Sequence, residues 1–158
     1  MVRKGNFWGS VVFATILASG PAFSCPDQTL MGESYSFSGQ ELYSAREFVV
    51  VAGGENSIQS CGKRLSMVGT SGYFTTPPDF SFDVTRLQKY SLHVTVTSDC
   101  DSALLINTPD NLWFYDDDSN GNLDAFLSLT TVPDGWLDIW IGTYDGNYCD
   151  ATLTLETF

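Results

Sequence analysis

Polar and apolar residues alternate with a period of two along much of this chain. Ser91–Thr97 alternates strictly, Ala151–Thr157 does the same, and Trp136–Ile141 places its Leu and Ile residues on one face. Successive side chains of a β-strand point to opposite sides, so this pattern predicts strands with one buried and one exposed face. A period of 3.6 residues, which would indicate helices, is almost absent.

Six further segments have the composition of strands and are separated by Gly, Pro and Asn turn signals. They are Glu47–Ala52, Gly72–Thr75, Phe80–Val84, Ala103–Asn107, Leu112–Tyr115 and Phe126–Leu129. This many short strands in one domain predict an all-β fold in which two antiparallel sheets pack face to face as a β-sandwich. The segment 40–46 is open to two interpretations, a strand or a connection.

Residues 1–24 have the features of a secretory signal peptide. Arg3 and Lys4 are followed by the short apolar stretch Val11–Ala18, and Ala22-Phe23-Ser24 has the small residues of a cleavage site. We therefore expect export to the periplasm or the extracellular space, and one domain over residues 25–158. Cleavage there leaves Cys25 first, as in lipoproteins, but Phe23 fits the lipidation motif poorly, so no membrane insertion is expected.

The four cysteines of the predicted mature chain indicate two disulfides, because an even number is typical of exported domains. They are Cys25, Cys61, Cys100 and Cys149, with no CxxC pair that would favour a zinc site. Three pairings are possible. We favour Cys25–Cys61 and Cys100–Cys149, in which each disulfide closes one half of the chain.

The charge is strongly acidic, with 19 Asp and Glu residues against 7 Lys and Arg. Two of the seven bases lie in the predicted signal peptide, and the segment Ser91–Phe158 contains none. Such a surface repels nucleic acid and anionic lipid, so neither is expected as a partner. The acidity either keeps the protein soluble or serves to bind cations.

An acidic run in the second half has the spacing of a calcium loop. Asp116, Asp118 and Asn120 occupy the first, third and fifth positions, and Gly121 takes the sixth, where the loop turns. Position twelve is Leu127 instead of the Glu of an EF-hand, so the remaining ligands must come from elsewhere.

The candidates for those remaining ligands are Asp101, Asp124 and backbone carbonyls, and the expected cofactor is Ca²⁺. The alternative is a solvated turn in which the Asp and Asn side chains bind their own backbone.

Three stretches of the second half resemble the bacterial pre-peptidase C-terminal (PPC) domain: Cys100–Asn107, Trp113–Gly121 and Gly135–Tyr144. The likeness covers roughly Phe80 to Phe158. It implies a jelly-roll-like β-sandwich of the kind appended to secreted hydrolases. Some members of that family bind calcium and an extracellular polymer.

Four aromatic residues form a second candidate site, because the alternation places them in pairs on strand faces. Trp136 and Trp140 share one face, and Trp113 and Tyr115 share another. On an outer sheet they would form a platform for sugar rings or a partner protein. The alternative is that a loop covers one of these faces and buries the Trp rings.

No catalytic constellation is apparent. His93 is the only histidine and is expected to be exposed, and Gly69-Thr70-Ser71-Gly72 lacks the G-x-S-x-G motif of a serine nucleophile. The sequence therefore predicts an exported, non-enzymatic, calcium-stabilised β-sandwich that binds an extracellular polysaccharide or protein. The alternative is a secreted hydrolase, or an accessory or inhibitor module for a separately encoded secreted hydrolase.

Overall fold

The fold is a two-sheet β-sandwich, which confirms the all-β prediction. The computed structural model describes residues 25–62, 65, 67 and 70–158. The predicted signal peptide, residues 1–24, lies outside the described residues. Among the described residues no helix has the length and apolar character needed to cross a membrane.

The described residues contain eleven strands, one helical turn and one 3-10 turn. The strands are β1 (Glu33–Ser38), β2 (Arg46–Ala52), β3 (Asn56–Ser57), β4 (Tyr73–Phe74), β5 (Phe80–Thr85), β6 (Ser91–Ser98), β7 (Ser102–Asn107), β8 (Trp113–Asp116), β9 (Phe126–Thr130), β10 (Gly135–Thr143) and β11 (Cys149–Thr157). The 3-10 turn spans Glu41–Tyr43, and the helical turn α1 spans Ile58–Cys61.

Strand β10 is the centre of the seven-stranded first sheet. It pairs antiparallel with β5 on one side and with β7 on the other, and its last residue meets the short β4. Beyond these neighbours lie β1, which pairs with β5, β8, which pairs with β7, and β3, which pairs with β4. The β1–β5 pair is parallel, whereas the other pairs of the two sheets are antiparallel.

The second sheet has four antiparallel strands in the order β2-β11-β6-β9. Here the predicted alternation is followed closely, because only one face packs against the first sheet. Val94, Val96, Leu153 and Leu155 point inward and are fully buried. They meet apolar residues of β5, β7 and β10 in the main core.

A smaller second core covers the outer face of the first sheet. Trp140 of β10 and Leu105 of β7 are fully buried there against Ile58 and Phe74. Trp113 packs on Trp140 with ring centroids 5.3 Å apart. Strands β7 and β10 are therefore buried on both faces over most of their length, although the sequence alternation predicted one exposed face.

The disulfides join Cys25 to Cys61 and Cys100 to Cys149, the pairing that we favoured from the sequence. The first ties the N-terminal segment to the second core. The second ties the loop before β7 to the start of β11. Loops of 36 and 49 residues are closed, and closures of this size stabilise the fold by about 3–4 kcal/mol each.

Two strands were missed by the sequence prediction. One is β1, whose Tyr35 and Phe37 pack on the main core between serines, and the other is the two-residue β3. The uncertain segment 40–46 holds the 3-10 turn, with Leu42 buried beneath it, and the first residue of β2.

We predict that the two tryptophans of β10 contribute very differently to stability. Trp140 is 0% exposed and Trp136 is 44% exposed. Trp140→Ala should lower the free energy of unfolding by about 3–5 kcal/mol, because it empties the second core. Trp136→Ala, the matched control four residues away on the same face, should cost about 1 kcal/mol or less. Urea denaturation measures both, and equal losses would contradict this assignment of the second core.

Asp79 provides a pH-dependent contribution to stability. Burial raises the pKa of Asp79 from 3.8 to about 7, although its Oδ2 accepts a hydrogen bond from the amide of Ile141. Between pH 3.8 and about pH 7, Asp79 keeps its proton in the folded state but has lost it in the unfolded state. The free energy of unfolding therefore falls as the pH rises through this range.

We therefore predict that the free energy of unfolding falls less steeply from about pH 4 to pH 7 in Asp79→Asn than in the unaltered protein. The Asn side chain still offers an acceptor to Ile141 but does not titrate. Urea denaturation at four pH values in this range compares the two slopes. Parallel slopes would show that Asp79 titrates normally.

Candidate functional site

The acidic loop between β8 and β9 is closed by its own hydrogen bonds. Asp116 Oδ2 accepts from the amides of Ser119 at 3.0 Å and Phe126 at 2.9 Å, and Oδ1 accepts from the Ser119 hydroxyl. Asn120 Nδ2 donates to the carbonyl of Val96 at 3.0 Å. The side chains of Asp116 and Asn120 thus hold backbone groups, as in the alternative interpretation of this loop.

Asp124 lies beneath the loop, with 4% of its surface exposed. Its Oδ1 accepts from the Ser98 amide at 3.0 Å, from the Ser98 hydroxyl at 2.8 Å and from the Ser102 hydroxyl at 3.4 Å. This carboxylate therefore joins the end of β6 to the start of β7.

The predicted metal ligands are not gathered into one shell. Asp101 lies near Asp117 and Asp118. Asp124 instead accepts hydrogen bonds from Ser98 and Ser102. Within the described part of the chain, no group of three or more His, Cys, Asp or Glu side chains is arranged to hold a metal ion. Calcium binding by Asp116, Asp118, Asn120, Asp101 and Asp124 stays a prediction.

The four aromatic residues of the predicted platform do not lie together on the surface. Trp140 is fully buried in the second core, and Trp113 and Tyr115 are half-buried against it. Trp136 alone of the four is well exposed. The structure agrees with the alternative, in which the Trp face is covered: Ile58 and Cys61 of α1 and Phe74 of β4 pack over this face of β10.

His93 lies on the outer face of the second sheet, as predicted. Its ring contacts Phe126 at 5.1 Å and Phe158 at 4.5 Å between centroids. Its register neighbours are Glu156 and Ser128, but no side-chain hydrogen bond among the described residues joins either of them to the His93 ring.

Three exposed tyrosines lie on, or pack against, the loop that follows β10 at one end of the sandwich. Tyr73 is 36% exposed, Tyr144 47% and Tyr148 58%. The Tyr73 ring lies 3.1–3.3 Å from the point where Gly146 would carry a Cβ, and Tyr148 packs in the same way over Gly53, at 2.8–3.3 Å. Glycine is favoured at both contacts, because φ is +125° at Gly53 and +83° at Gly146 and a Cβ would press against the rings.

Four carboxylates lie close to one another at the same end of the sandwich. The Asp101 carbonyl accepts from the amide of Tyr144 at 2.9 Å. Partial burial raises the pKa of the Asp101 carboxyl, and the charges of Asp118, Asp117 and Asp145 raise it further. We call this group the tyrosine–aspartate surface: Tyr73, Tyr144, Tyr148, Asp101, Asp117, Asp118 and Asp145.

The disulfide Cys100–Cys149 fixes the two sides of this surface. Asp101 follows the first cysteine and Tyr148 precedes the second. The surface is therefore held by a covalent link as well as by the sheet, and little order has to be gained when a partner binds.

Hydrogen bonds fix the loop that carries Tyr144 and Tyr148. Asp145 accepts from the backbone amide of Asn147 at 2.9 Å and from its side-chain amide at 2.6 Å, and these bonds lower the pKa of Asp145. The Thr143 hydroxyl donates to the Asn147 carbonyl at 2.6 Å. Asp145 is therefore ionised at neutral pH.

Tyr115 supports the surface from below. Its hydroxyl donates to Asp117 Oδ2 at 3.1 Å and to the carbonyl of Ser71. Burial, and then the charge of Asp117, raises the pKa of Tyr115 well above 10. A cleft of about 160 Å³ opens beside it, lined by Ser57, Gln59, Ser71, Gly72, Tyr73 and Tyr144.

The sequence prediction missed the three exposed tyrosines. A signal existed for two of them, because Tyr144 and Tyr148 flank the predicted turn Asp145-Gly146. Tyr73 could not be added, since its neighbourhood depends on the pairing of Tyr73 with Thr143.

No family model matches the sequence, and no curated protein matches it. The likeness to PPC domains therefore stays a prediction. Among solved structures, the crystal structure of Aeromonas hydrophila PliG, a periplasmic lysozyme inhibitor of g-type lysozyme, is similar over 80% of this chain and 99% of that chain. The TM-score is 0.45 at 6% sequence identity, a likeness that carries no information about what this chain binds.

We predict that Asp116 is structural and Asp118 is not. Asp116→Ala should lower the free energy of unfolding by about 1–3 kcal/mol, because it leaves the amides of Ser119 and Phe126 without their acceptor. Asp118 is exposed, and its carboxylate makes none of the hydrogen bonds described for the chain. Asp118→Ala should therefore change the free energy of unfolding by about 0.5 kcal/mol or less.

Urea denaturation in the presence of EGTA makes this comparison without any contribution from divalent cations. Equal losses in the two variants, or a larger loss in Asp118→Ala, would contradict the structural role of Asp116.

Proposed function

We propose that this protein is an exported, non-enzymatic binding protein whose partner is a positively charged extracellular protein, and that the tyrosine–aspartate surface is its binding site. The observation that carries the proposal is the placing of three exposed tyrosines beside four carboxylates on disulfide-linked loops.

The chemistry of the surface favours basic side chains. Lys and Arg pair with carboxylates, and Arg also stacks on the faces of aromatic rings. Tyrosine is enriched in protein interfaces because it buries a large area at a low cost in side-chain entropy. Exposed rings and carboxylates without a salt-bridge partner among the described residues therefore suit a surface rich in Lys and Arg.

The charge of the whole chain supports the same partner. With 19 acidic residues against 7 basic ones, the long-range field attracts cationic proteins and raises their association rate. A cationic secreted hydrolase, bound as an accessory partner or inhibited, is one protein of this kind.

Two further features support export and the absence of catalysis. Both disulfides are of the kind that persists in oxidising compartments. The single histidine packs against two aromatic rings on an open sheet face, away from the tyrosine–aspartate surface. Binding through the exposed tyrosines and carboxylates requires no catalytic group at this end of the molecule.

The test is binding to three strongly cationic secreted proteins, a lysozyme, a ribonuclease and a serine protease, measured by surface plasmon resonance at low salt. At least one should bind, and its succinylated form, which has lost its lysine charges, should not. Tyr144→Ala should weaken binding at least about tenfold, as expected for a buried interface tyrosine. Asp118→Asn should mainly slow association.

The matched controls lie outside the surface. Tyr43→Ala removes a tyrosine that is 62% exposed, and Glu47→Gln removes one negative charge from β2. Neither should change the affinity more than about twofold. The proposal fails if no cationic protein binds, or if the controls weaken binding as much as the surface variants do.

A further inference from the structure

A pocket of about 370 Å³ opens between the 3-10 turn and the connection from β5 to β6. Its lining consists of five polar or charged side chains: Gln40, Arg86, Gln88, Lys89 and Tyr90. The Tyr90 hydroxyl donates to Oε1 of Gln40 at 3.2 Å and so closes one wall. The pocket lies where β5 ends and β10 begins, at the opposite end of the sandwich from the tyrosine–aspartate surface.

The pocket is lined by positively charged side chains, whereas the protein as a whole is acidic. Lys and Arg occur three times in the described part of the chain, as Arg46, Arg86 and Lys89, and two of the three line the pocket. Neither Arg86 nor Lys89 forms a salt bridge with any described residue.

Two carboxylates lie close to Arg86: Asp134, which accepts from its backbone amide, and Glu41. The pKa of Glu41 shows the influence of Arg86. The pKa of Glu41 is lowered first by hydrogen bonds from Ser38 and then by the charges of Arg46 and Arg86. Glu41 Oε2 already accepts from the amide and the hydroxyl of Ser38, at 2.8 Å and 2.7 Å. The two cations of the pocket therefore remain available to an anion from solution.

The backbone holds Arg86 in a conformation that favours glycine. Its φ is 59°, in the left-handed region that side chains rarely adopt. Asp134 Oδ1 fixes this turn by accepting from the Arg86 amide at 2.7 Å and from Gln88 Nε2 at 3.0 Å, and Leu87 is buried between them. A strained residue with a functional side chain is typical of ligand sites, where the surrounding structure maintains the strain.

We propose that this pocket binds a carboxylate-bearing sugar, an acidic saccharide unit of a glycan or a free sugar acid. The guanidinium of Arg86 offers two parallel donors that match a carboxylate, and Lys89 adds a second positive charge. The carboxamides of Gln40 and Gln88 can donate to and accept from hydroxyl groups, and the Tyr90 ring offers an apolar face to a sugar ring. The volume lies within the range of small-molecule sites.

The experiment is a titration of the purified exported protein, labelled with ¹⁵N, followed by NMR. Three probes are compared: D-glucuronate, D-glucose and inorganic phosphate. Glucuronate should give saturable shifts at Gln40 and residues 86–90. Glucose, which lacks the carboxylate, and phosphate, which lacks the ring, should each bind at least about tenfold more weakly, a difference of about 1.4 kcal/mol.

Variants separate the pocket from the general charge of this end of the molecule. Arg86→Gln and Lys89→Gln should each weaken glucuronate binding about tenfold. Arg46→Gln is the matched control, since it removes the same charge outside the pocket and should leave the affinity within about twofold. Arg86→Gly should also lose binding, yet unfold at the same or a higher urea concentration, because glycine relieves the left-handed backbone.

Three results would overturn the proposal. One is the absence of saturable shifts with glucuronate. Another is phosphate binding as tightly as glucuronate, which would show a site for anions in general. The third is an equal loss in Arg46→Gln and Arg86→Gln, which would show attraction by charge without a defined pocket. None of these results bears on the tyrosine–aspartate surface, which is tested with separate variants and partners.

Discussion

The burial of strand β10 on both faces is the constraint on which the rest of this structure depends. Its inner residues join the main core, and Trp140 on its outer face is enclosed by the second core. Because the central strand of the first sheet is covered on both sides, that sheet offers no open platform along its middle. The side chains that we propose for binding therefore lie at the two ends of the sandwich, on the loops that connect the strands.

The fold class could be predicted from the sequence because the second sheet has one solvent face. In β6 and β11 the polar side chains point outward, so polar and apolar residues alternate visibly in the sequence. In β10 the alternation is also present, but Trp136 and Trp140 look equivalent in sequence. Trp140 is covered by Trp113 and by Ile58 and Phe74, which lie more than sixty residues earlier in the chain. Contacts at such a distance in sequence leave no local pattern.

The acidic loop and the tyrosine–aspartate surface were harder to predict from the sequence, because both depend on contacts between distant segments. The spacing of Asp116, Asp118 and Asn120 is visible in the chain, but the partners of this loop, such as Val96, come from another strand. Whether an oxygen is free for a cation or occupied by an amide depends on those partners. The tyrosine–aspartate surface likewise exists only after β4 meets the end of β10 and a disulfide joins two distant loops.

The two sites that we propose would bind different ligands, because basic side chains lie at one end of the sandwich and carboxylates at the other. Residues 135–143 of β10 run from the basic pocket to the tyrosine–aspartate surface, and nine residues of strand span roughly 30 Å at about 3.3 Å each. The Debye length at physiological salt is about 8 Å, so charges at one end are almost fully screened at the other. A cationic protein bound at one end would therefore leave the affinity of the other end for an acidic sugar unchanged, unless the two ligands touch.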